Sequence, residues 1–361
     1  MDFGLSEEQR MLQESMSRFL TEACPLDRVR ECAEDLHRAK DLSAGLAELG
    51  VAQLVVPEQY GGLGLGLLDA ALVQETLGQH VAPVPFSARA VLSVLALRYG
   101  GNAEQNALWL PQIASGEMRV GLAINERSGA REGSGVEVSE GKAHGKLLFA
   151  WELTDATHLL LADNTGGLHL AELANPGVQT RTLTTIDKTR SADEVVLGGC
   201  AVQSLRGENQ AGEVAARLTD AARILLAADS LGAAQTMIGK AVAYAGERQQ
   251  FNRLIGSFQA VKHLCAEMAA RLEPCRALIW YAAYAHDQKL DDARLMSLLA
   301  KSHISEVGQF VARTATEVHG GMGFTDLLGL HYWFKRIGAN RQLLGGPERL
   351  RAEAATLQGW A

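Results

Sequence analysis

Residues Glu247–His263 read ERQQFNRLIGSFQAVKH and lie between two long segments with a helical pattern. The preceding segment, 212–246, is rich in alanine and leucine and contains no proline, which favours one uninterrupted helix. The following segment, 257–287, has apolar residues at steps of three and four and contains only one proline, Pro274. The stretch therefore predicts a corner between two long helices, the second of which could bend at Pro274.

This predicted corner carries cationic and amide side chains. They are Arg248, Arg253 and Lys262, together with Gln249, Gln250 and Gln259. Arginine presents forked donors that match a phosphate or a carboxylate, and it keeps its charge. Basic residues at the end of a helix also offset the helix dipole. The residues alone therefore support two interpretations, an anion-binding site and a solvated helix end.

Composition and charge place the 361-residue chain among ordinary globular proteins. Apolar residues make up 47% and charged residues 21%, and the net charge of −8 comes without a basic block, so a nucleic-acid partner is not expected. The N-terminus carries Asp2, Glu7 and Glu8 without an apolar core, so we expect no secretory signal, and no run is long enough for a membrane span. The five cysteines include no C-x-x-C pair, which predicts reduced thiols, no metal site and a cytoplasmic location.

The predicted secondary structure changes twice along the chain. Residues 1–115 predict helices, 116–205 predict short strands separated by turn residues, and 206–361 predict long helices. Strands at this spacing indicate a small barrel or sandwich, and helices of about 30 residues pack as a bundle. The expected fold class is α+β multidomain: an N-terminal α-helical domain, a small central β-barrel or sandwich and a C-terminal four-helix bundle. The predicted strands are Val120–Ile124, Lys146–Ala150, His158–Ala162, Leu168–Leu173 and Glu194–Leu197.

A glycine-rich run, Gly61–Gly66, has some likeness to a dinucleotide-binding loop. It follows Pro57 and Tyr60 rather than an apolar strand, and no βαβ pattern surrounds it. A dinucleotide-binding loop needs that strand and the helix after it, so we reject this interpretation.

Four motifs, in order along the whole chain, resemble those of the acyl-CoA dehydrogenase family. RQQFNRLIGSFQ at 248–259 resembles the family's signature R-x-x-F-G, two residues, I-G, two residues, Q. HGGMGF at 319–324 resembles its G-G-x-G-F loop, and VPEQYGGLG at 56–64 resembles its P-x-x-Y-G-G-x-G turn. The opening MDFGLSEEQ at 1–9 is also typical.

This resemblance implies FAD-dependent α,β-dehydrogenation of an acyl-CoA thioester. In the family a carboxylate removes the α proton and the β hydrogen leaves as hydride to the flavin. Hydrogen bonds to the thioester carbonyl stabilise the developing enolate, and the base must be a desolvated glutamate within reach of the α carbon. The resemblance also implies that a neighbouring subunit, homologous or identical, holds the adenine end of FAD in a dimer or tetramer. An electron-transfer flavoprotein is the implied electron acceptor.

The cofactor-binding half of the family's site is present in this sequence. By resemblance, Arg248 meets the FAD pyrophosphate, Phe251 packs on the cofactor, and Gln259 lies at the dimer contact. The full predicted cofactor-binding set is Arg248, Gln250, Phe251, Gln259, Glu317, Gly320 and Gly321. The two glycines allow the backbone to approach the diphosphate closely. Two positions depart from the family: Asn252 replaces a glycine, and Glu317 replaces a glutamine that would donate to FAD.

The catalytic half departs further from the family. One position of the base lies twenty residues after Phe324 and is Leu344 here; the other lies twenty-nine residues before Phe251 and is Ala222. Neither can accept a proton, so we expect no catalytic residue in this chain. The adjacent Arg223 is retained and is a candidate on the substrate side.

The family's T-E-P-G-A-G-S-D loop, which touches flavin and acyl-CoA, aligns with Asn125–Glu132 and keeps only the glutamate and a small-residue pair. Two other acids are interpreted without catalysis: Asp220 as a helical ion-pair partner of Arg223, and Glu348 as surface charge.

Three functions follow from this combination. The chain resembles the short bacterial subunits of heterotetrameric, sterol-type acyl-CoA dehydrogenases, α2β2 proteins in which only one type of subunit carries the glutamate. It would then act in lipid or sterol side-chain catabolism as the subunit without the base. The alternative is an active homomeric dehydrogenase whose base is unplaced. A second alternative is a non-redox, flavin-free binding or scaffold member of the family.

Overall fold

The computed structural model describes residues 4–360, so Met1–Phe3 of the N-terminal opening motif and Ala361 lie outside the described residues. The chain divides into two compact units. The bundle unit contains the residues up to Val29, 71–82 and those from Arg223 onward, and the barrel unit contains 30–70 and 83–222. The predicted division of the chain at 116 and 206 stays a prediction.

Helices occupy both ends of the sequence, as the pattern predicted. The α-helices are α1 (Glu7–Ala23), α2 (Leu26–Glu34), α3 (Lys40–Glu48), α4 (Leu67–Gln79), α5 (Ser93–Gly100), α6 (Ala103–Ala114), α7 (Ala211–Glu247), α8 (Gln259–Gln288), α9 (Ala293–His319), α10 (Leu330–Gln342) and α11 (Pro347–Leu357). Ser6 caps α1 in a capping box with Gln9, and α8 continues through Pro274. No helix within residues 4–360 is long and apolar enough to cross a membrane.

The strands of the barrel unit form one closed sheet. They are β1 (Val120–Ala123), β2 (Gly135–Ser139), β3 (Lys142–Trp151), β4 (His158–Ala162), β5 (Leu168–Glu172), β6 (Val178–Thr182) and β7 (Ala192–Ser204). Their order is β2-β3-β1-β4-β5-β7-β6, and an additional pairing of β3 with β7 closes the ring. This confirms the predicted small barrel.

Two features of the barrel unit bear on its chemistry. The register between β3 and β7 shifts between Leu147 and Ala150, a bulge at which Phe149 takes a positive φ of 57°. Ahead of α5, residues Ser87–Leu92 form a turn of π-helix, which the sequence pattern did not predict. The run Gly61–Gly66 follows the 3-10 turn Glu58–Tyr60, whereas a dinucleotide-binding loop would follow a strand, so the structure agrees with the rejection of that interpretation.

In the bundle unit, α4 packs closely against α7. A Cβ atom on Gly232 would lie 1.8 Å from the carbonyl oxygen of Glu75, and one on Gly78 would lie 2.2 Å from that of Asp229. Only glycine allows backbones to come this close. Glu75 also pairs with Arg276 of α8, so its buried carboxylate is neutralised within the bundle unit.

Candidate functional site

The predicted corner after α7 is a β-hairpin with a two-residue turn. Its strands are β8 (Gln249–Gln250) and β9 (Arg253–Leu254). The turn residues Phe251 and Asn252 have φ values of 53° and 59°, as a type I′ turn requires. Asparagine adopts this left-handed conformation readily, so the replacement of the family's glycine by Asn252 fits the backbone.

The hairpin projects an aromatic ring and a guanidinium away from the chain. Phe251 is 87% exposed and makes only an edge contact with Phe258 among its ring neighbours in the described residues. A bulky residue in the left-handed region is strained, and such strain concentrates at functional sites. Arg253 lies over the Phe258 ring at 3.8 Å, whereas the side chain of Arg248 is exposed and has no hydrogen bond within residues 4–360.

The glycine loop lies next to the base of this hairpin. After α9 ends at His319, residues Gly320–Phe324 form a 3-10 turn. A Cβ atom on either Gly320 or Gly321 would meet nothing within 4 Å, so a ligand can approach this backbone without obstruction. Tyr244 stacks on His319 with ring centroids 4.7 Å apart, and it lies one helical turn before Arg248. The fold therefore brings the predicted hairpin and loop residues to one region of the bundle unit.

The remaining predicted cofactor residues lie on exposed positions of the same unit. Gln259 is the first residue of α8, and the side-chain amide of Gln250 donates to the neighbouring carbonyl of Gln249. Glu317 is exposed on the last turn of α9. Arg248 and the open glycine backbone fit the diphosphate of FAD, and Glu317 is the one member of the set whose charge opposes it.

Both predicted positions of the base are buried and apolar. Leu344 follows α10, is 1% exposed and has a φ of 54°. Ala222 is fully buried within α7. Glu348, the other acid weighed near this turn, is exposed and pairs with Arg341 at 3.1 Å, as expected of surface charge.

Arg223 is held by partners within the bundle unit. Its Nε donates to the carbonyl oxygen of Leu344 at 3.1 Å, and its two Nη atoms donate to the Glu353 carboxylate at 3.3 and 3.1 Å. Burial alone would raise the pKa of Glu353, but hydrogen bonds from Arg223 and Arg294 lower it overall. Arg223 thus fixes the turn that carries Leu344, and its predicted role on the substrate side stays a prediction.

Lys301 lies beneath the same turn and was missed at the level of sequence. It is 1% exposed, and its Nζ lies 3.3 Å from the Arg341 carbonyl oxygen, 3.4 Å from that of Gly345 and 3.4 Å from Ser305 Oγ. Burial, then the charges of Arg223 and Arg341, lowers the pKa of Lys301 from 10.5 to about 7. A signal was available, because Lys301 lies three residues from both Leu298 and Ile304 on one apolar face of α9.

We expect Lys301→Met to stabilise the protein at low pH. The pKa of Lys301 falls from 10.5 in the unfolded chain to about 7 on folding, so between these values the unfolded chain binds more protons and the wild type gains stability as pH rises. Methionine removes the cost of burying the ammonium, which should raise the free energy of unfolding at pH 6 by about 1 kcal/mol. Urea denaturation at pH 6 and pH 9 measures this, and the difference should shrink at pH 9. A destabilised variant at pH 6 would contradict it.

The Asn125–Ser128 turn of the barrel unit faces the bulge in β3. Asn125 Nδ2 donates to the Phe149 carbonyl oxygen at 2.6 Å, and Glu126 Oε1 accepts the Leu148 N–H at 2.8 Å. Burial raises the pKa of Glu126. Several buried polar atoms here have no hydrogen-bond partner in the part of the chain that is described, and they are available to a polar ligand. These atoms are Asn125 Oδ1, Glu126 Oε2, Ser128 Oγ and Trp151 Nε1.

The sequence matches two protein-family models. Residues 6–117 match the model described as acyl-CoA dehydrogenase, N-terminal domain, and residues 211–356 match acyl-CoA dehydrogenase, C-terminal domain. The chain is 30% identical over 350 residues to the acyl-CoA dehydrogenase IpdE2 of Mycolicibacterium smegmatis, covering 96% of this chain and 98% of the relative. IpdE2 of Mycobacterium tuberculosis is 28% identical over 349 residues and is covered to 95%.

Solved structures of similar proteins share the fold over its whole length. A steroid acyl-CoA dehydrogenase variant, Tcur3481-Tcur3483, superimposes with a TM-score of 0.89 at 28% identity and covers 98% of both chains. The ChsE4-ChsE5 complex of Mycobacterium tuberculosis gives a TM-score of 0.89 at 26% identity, with 99% of both chains covered.

Proposed function

This chain belongs to the acyl-CoA dehydrogenase family, whose members are FAD-dependent oxidoreductases acting on CH–CH bonds, and we propose that it is the base-lacking subunit of an α2β2 dehydrogenase. One observation carries this proposal. The bundle unit presents exposed groups suited to a flavin nucleotide, Arg248 and Phe251 with the open Gly320–Gly321 backbone, while the base positions are Leu344 and Ala222. A subunit of this kind completes a cofactor site on a partner and leaves proton removal to that partner.

The relatives support a bulky acyl-CoA substrate. One similar structure is described as a steroid acyl-CoA dehydrogenase. Another is a complex of two differently named chains, which supports a hetero-oligomer. We therefore propose a role in lipid or sterol side-chain catabolism, in a hetero-oligomer with a homologous subunit that carries the glutamate. An electron-transfer flavoprotein is the proposed electron acceptor.

The residues of this chain bind and orient rather than react. Arg248 would hold the FAD diphosphate by forked, charge-assisted hydrogen bonds, and the Gly320–Gly321 backbone would lie against it. Phe251 would cover the cofactor from the side of this chain and exclude water. When bound, FAD supplies the acceptor for the β hydride. Leu344 and Ala222 cannot move a proton, so in this proposal the carboxylate that removes the α proton comes from the partner subunit.

Co-expression tests this proposal. The chain is purified alone and together with a homologue that carries glutamate at the base position, and the ratio of FAD to protein and the reduction of flavin by acyl-CoA are measured. We expect little FAD and no reduction with the chain alone, and both in the co-expressed complex. Stoichiometric FAD with reduction by acyl-CoA in the chain alone would overturn it.

The alternative, an active homomeric dehydrogenase, is favoured by one observation. Glu126 is a half-buried carboxylate whose pKa is raised by burial and whose Oε2 has no partner within residues 4–360, properties that suit a general base. Under this alternative Glu126→Gln should abolish activity of the chain alone. In the heteromeric proposal the same variant should leave proton removal by the partner intact.

A further inference from the structure

The barrel unit contains a cavity with charged and apolar walls. Its volume is about 370 Å³, at the lower end of the range for small-molecule sites. It lies between the segment 36–43, the segment 83–89 with the start of the π-helical turn, and the loops that precede β4 and β7. None of the residues predicted to bind FAD lines it.

The charged lining of this cavity is mostly basic. Four basic side chains, Lys40, Arg89, Arg119 and Arg190, outnumber two acidic ones, Glu152 and Asp155. Lys40 lies 3.4 Å from Asp155, and Arg119 Nε donates to the Asp155 carbonyl oxygen at 2.6 Å. Arg190 is paired with Asp187 at 3.0 Å, so the remaining positive excess is a single charge, and this excess favours an anionic ligand.

Arg89 is a cation of this lining whose hydrogen-bond donors are not all satisfied within the described chain. Its Nη2 donates to the Thr154 carbonyl oxygen at 2.7 Å, while its buried Nε has no hydrogen-bond partner in the described chain. Burial lowers the pKa of Arg89, which shows how far its charge is removed from water. A buried guanidinium N–H without an acceptor is costly, and a bound carboxylate or phosphate would satisfy it.

Glu152 positions Arg89 without pairing directly with its guanidinium. Its Oε2 accepts the backbone N–H groups of Ala88 and Arg89, both at 3.0 Å, at the start of the π-helical turn. Glu152 is 8% exposed, and burial raises the pKa of its carboxyl group. Glu152 and Asp155 both have left-handed backbones, with φ of 57° and 59°. Strain of this kind and π-helical turns are both frequent at functional sites.

The rest of the wall is largely apolar and is formed by Leu36, Ala39, Pro83, Val84 and Pro85. A cavity that combines a guanidinium N–H without an acceptor and an apolar wall matches a molecule with one anionic group and a short hydrocarbon body. We propose that this cavity binds a small organic acid, with the carboxylate at Arg89 and the hydrocarbon part against the apolar wall. This site is independent of the proposed flavin half-site.

Calorimetry with three probes tests the proposal on the protein in its assembled form. Hexanoate carries both features, hexan-1-ol lacks the charge, and inorganic phosphate lacks the hydrocarbon. We expect saturable binding of one hexanoate per chain at millimolar concentration or below, and binding of the other two probes at least about tenfold weaker. Absence of hexanoate binding, or equal binding of either other probe, would overturn the proposal.

A variant and a crystal locate the site. Arg89→Gln should weaken hexanoate binding by about tenfold or more, because a charged hydrogen bond is lost. The matched control, Arg181→Gln, removes the same charge from an arginine whose side chain is 70% exposed on β6 and should leave binding unchanged. If Arg89→Gln does not fold, soaking wild-type crystals with 6-bromohexanoate gives an independent answer. Bromine scattering inside the cavity supports the proposal, and its absence there contradicts it.

Discussion

Arg248→Ala should lower the affinity of the assembled protein for FAD by about thirtyfold or more. The Arg248 side chain is exposed at the hairpin and has no hydrogen bond within residues 4–360, so truncating it removes no interaction that holds the described fold. In the proposed complex its guanidinium binds the FAD diphosphate, and losing a charge-assisted, forked contact costs about 2 kcal/mol. Such a cost corresponds to a change of about thirtyfold in the dissociation constant. Fluorescence titration of the apoprotein complex with FAD measures it.

Arg253→Ala is the matched control for this prediction. Arg253 lies in the same hairpin and carries the same charge, but its guanidinium stacks on Phe258 instead of being free of ring contacts. We expect Arg253→Ala to change FAD affinity by much less than Arg248→Ala. Equal losses for both variants would mean that only the summed positive charge of the hairpin matters. Unchanged affinity after Arg248→Ala would remove the half-site from the proposed function.

Local signals in the sequence were sufficient for the helices and for most strands. Capping boxes at Ser6 and Asn102 begin α1 and α6 within the region 1–115 predicted to be helical, because capping depends on residues three positions apart. Strands β2 and β6 were missed. The side chains of β6, Val178–Thr182, are largely exposed, so the strand shows no apolar alternation. Its formation depends on pairing with β7, which no local pattern records.

Backbone conformations with positive φ were the second feature that the sequence did not predict. The turn at Phe251 and Asn252 is a hairpin although its first residue is a bulky aromatic, which is rare in this turn type. The left-handed Glu152 owes its position to Ala88 and Arg89, more than sixty residues earlier in the chain. Contacts of that range cannot be read from one sequence, and the cavity beside Glu152 was therefore not anticipated.

The predicted cofactor residues come from a resemblance between sequence motifs, and the environment of the turn at Leu344 could not be predicted in this way. Sequence comparison put Leu344 at the position of the base, and only the structure shows that two cations hold the turn around it. Arg223 donates to the Leu344 carbonyl oxygen and Lys301 to that of Gly345. These hydrogen bonds make the turn rigid, although the Leu344 side chain that it carries cannot exchange a proton.

Leu344→Glu should destabilise the fold without creating a dehydrogenase. Leu344 is 1% exposed, so a glutamate there buries a carboxyl group away from water and should lower the free energy of unfolding by about 3 kcal/mol. Leu344→Gln is the control of equal shape without the charge, and its loss should be smaller at neutral pH. Denaturant titration measures both variants.

Activity should not return in Leu344→Glu, because the Asn125–Glu132 loop also departs from the family's substrate loop. Flavin reduction by acyl-CoA measures this second half of the prediction in the chain expressed without a partner and supplied with excess FAD. Full activity after the single substitution would mean that the loop is competent as it stands and that this chain is one replacement away from a homomeric enzyme. A stable but inactive Leu344→Glu protein would instead show that the turn can admit a carboxylate and that a carboxylate at this position is not sufficient to make this chain a dehydrogenase.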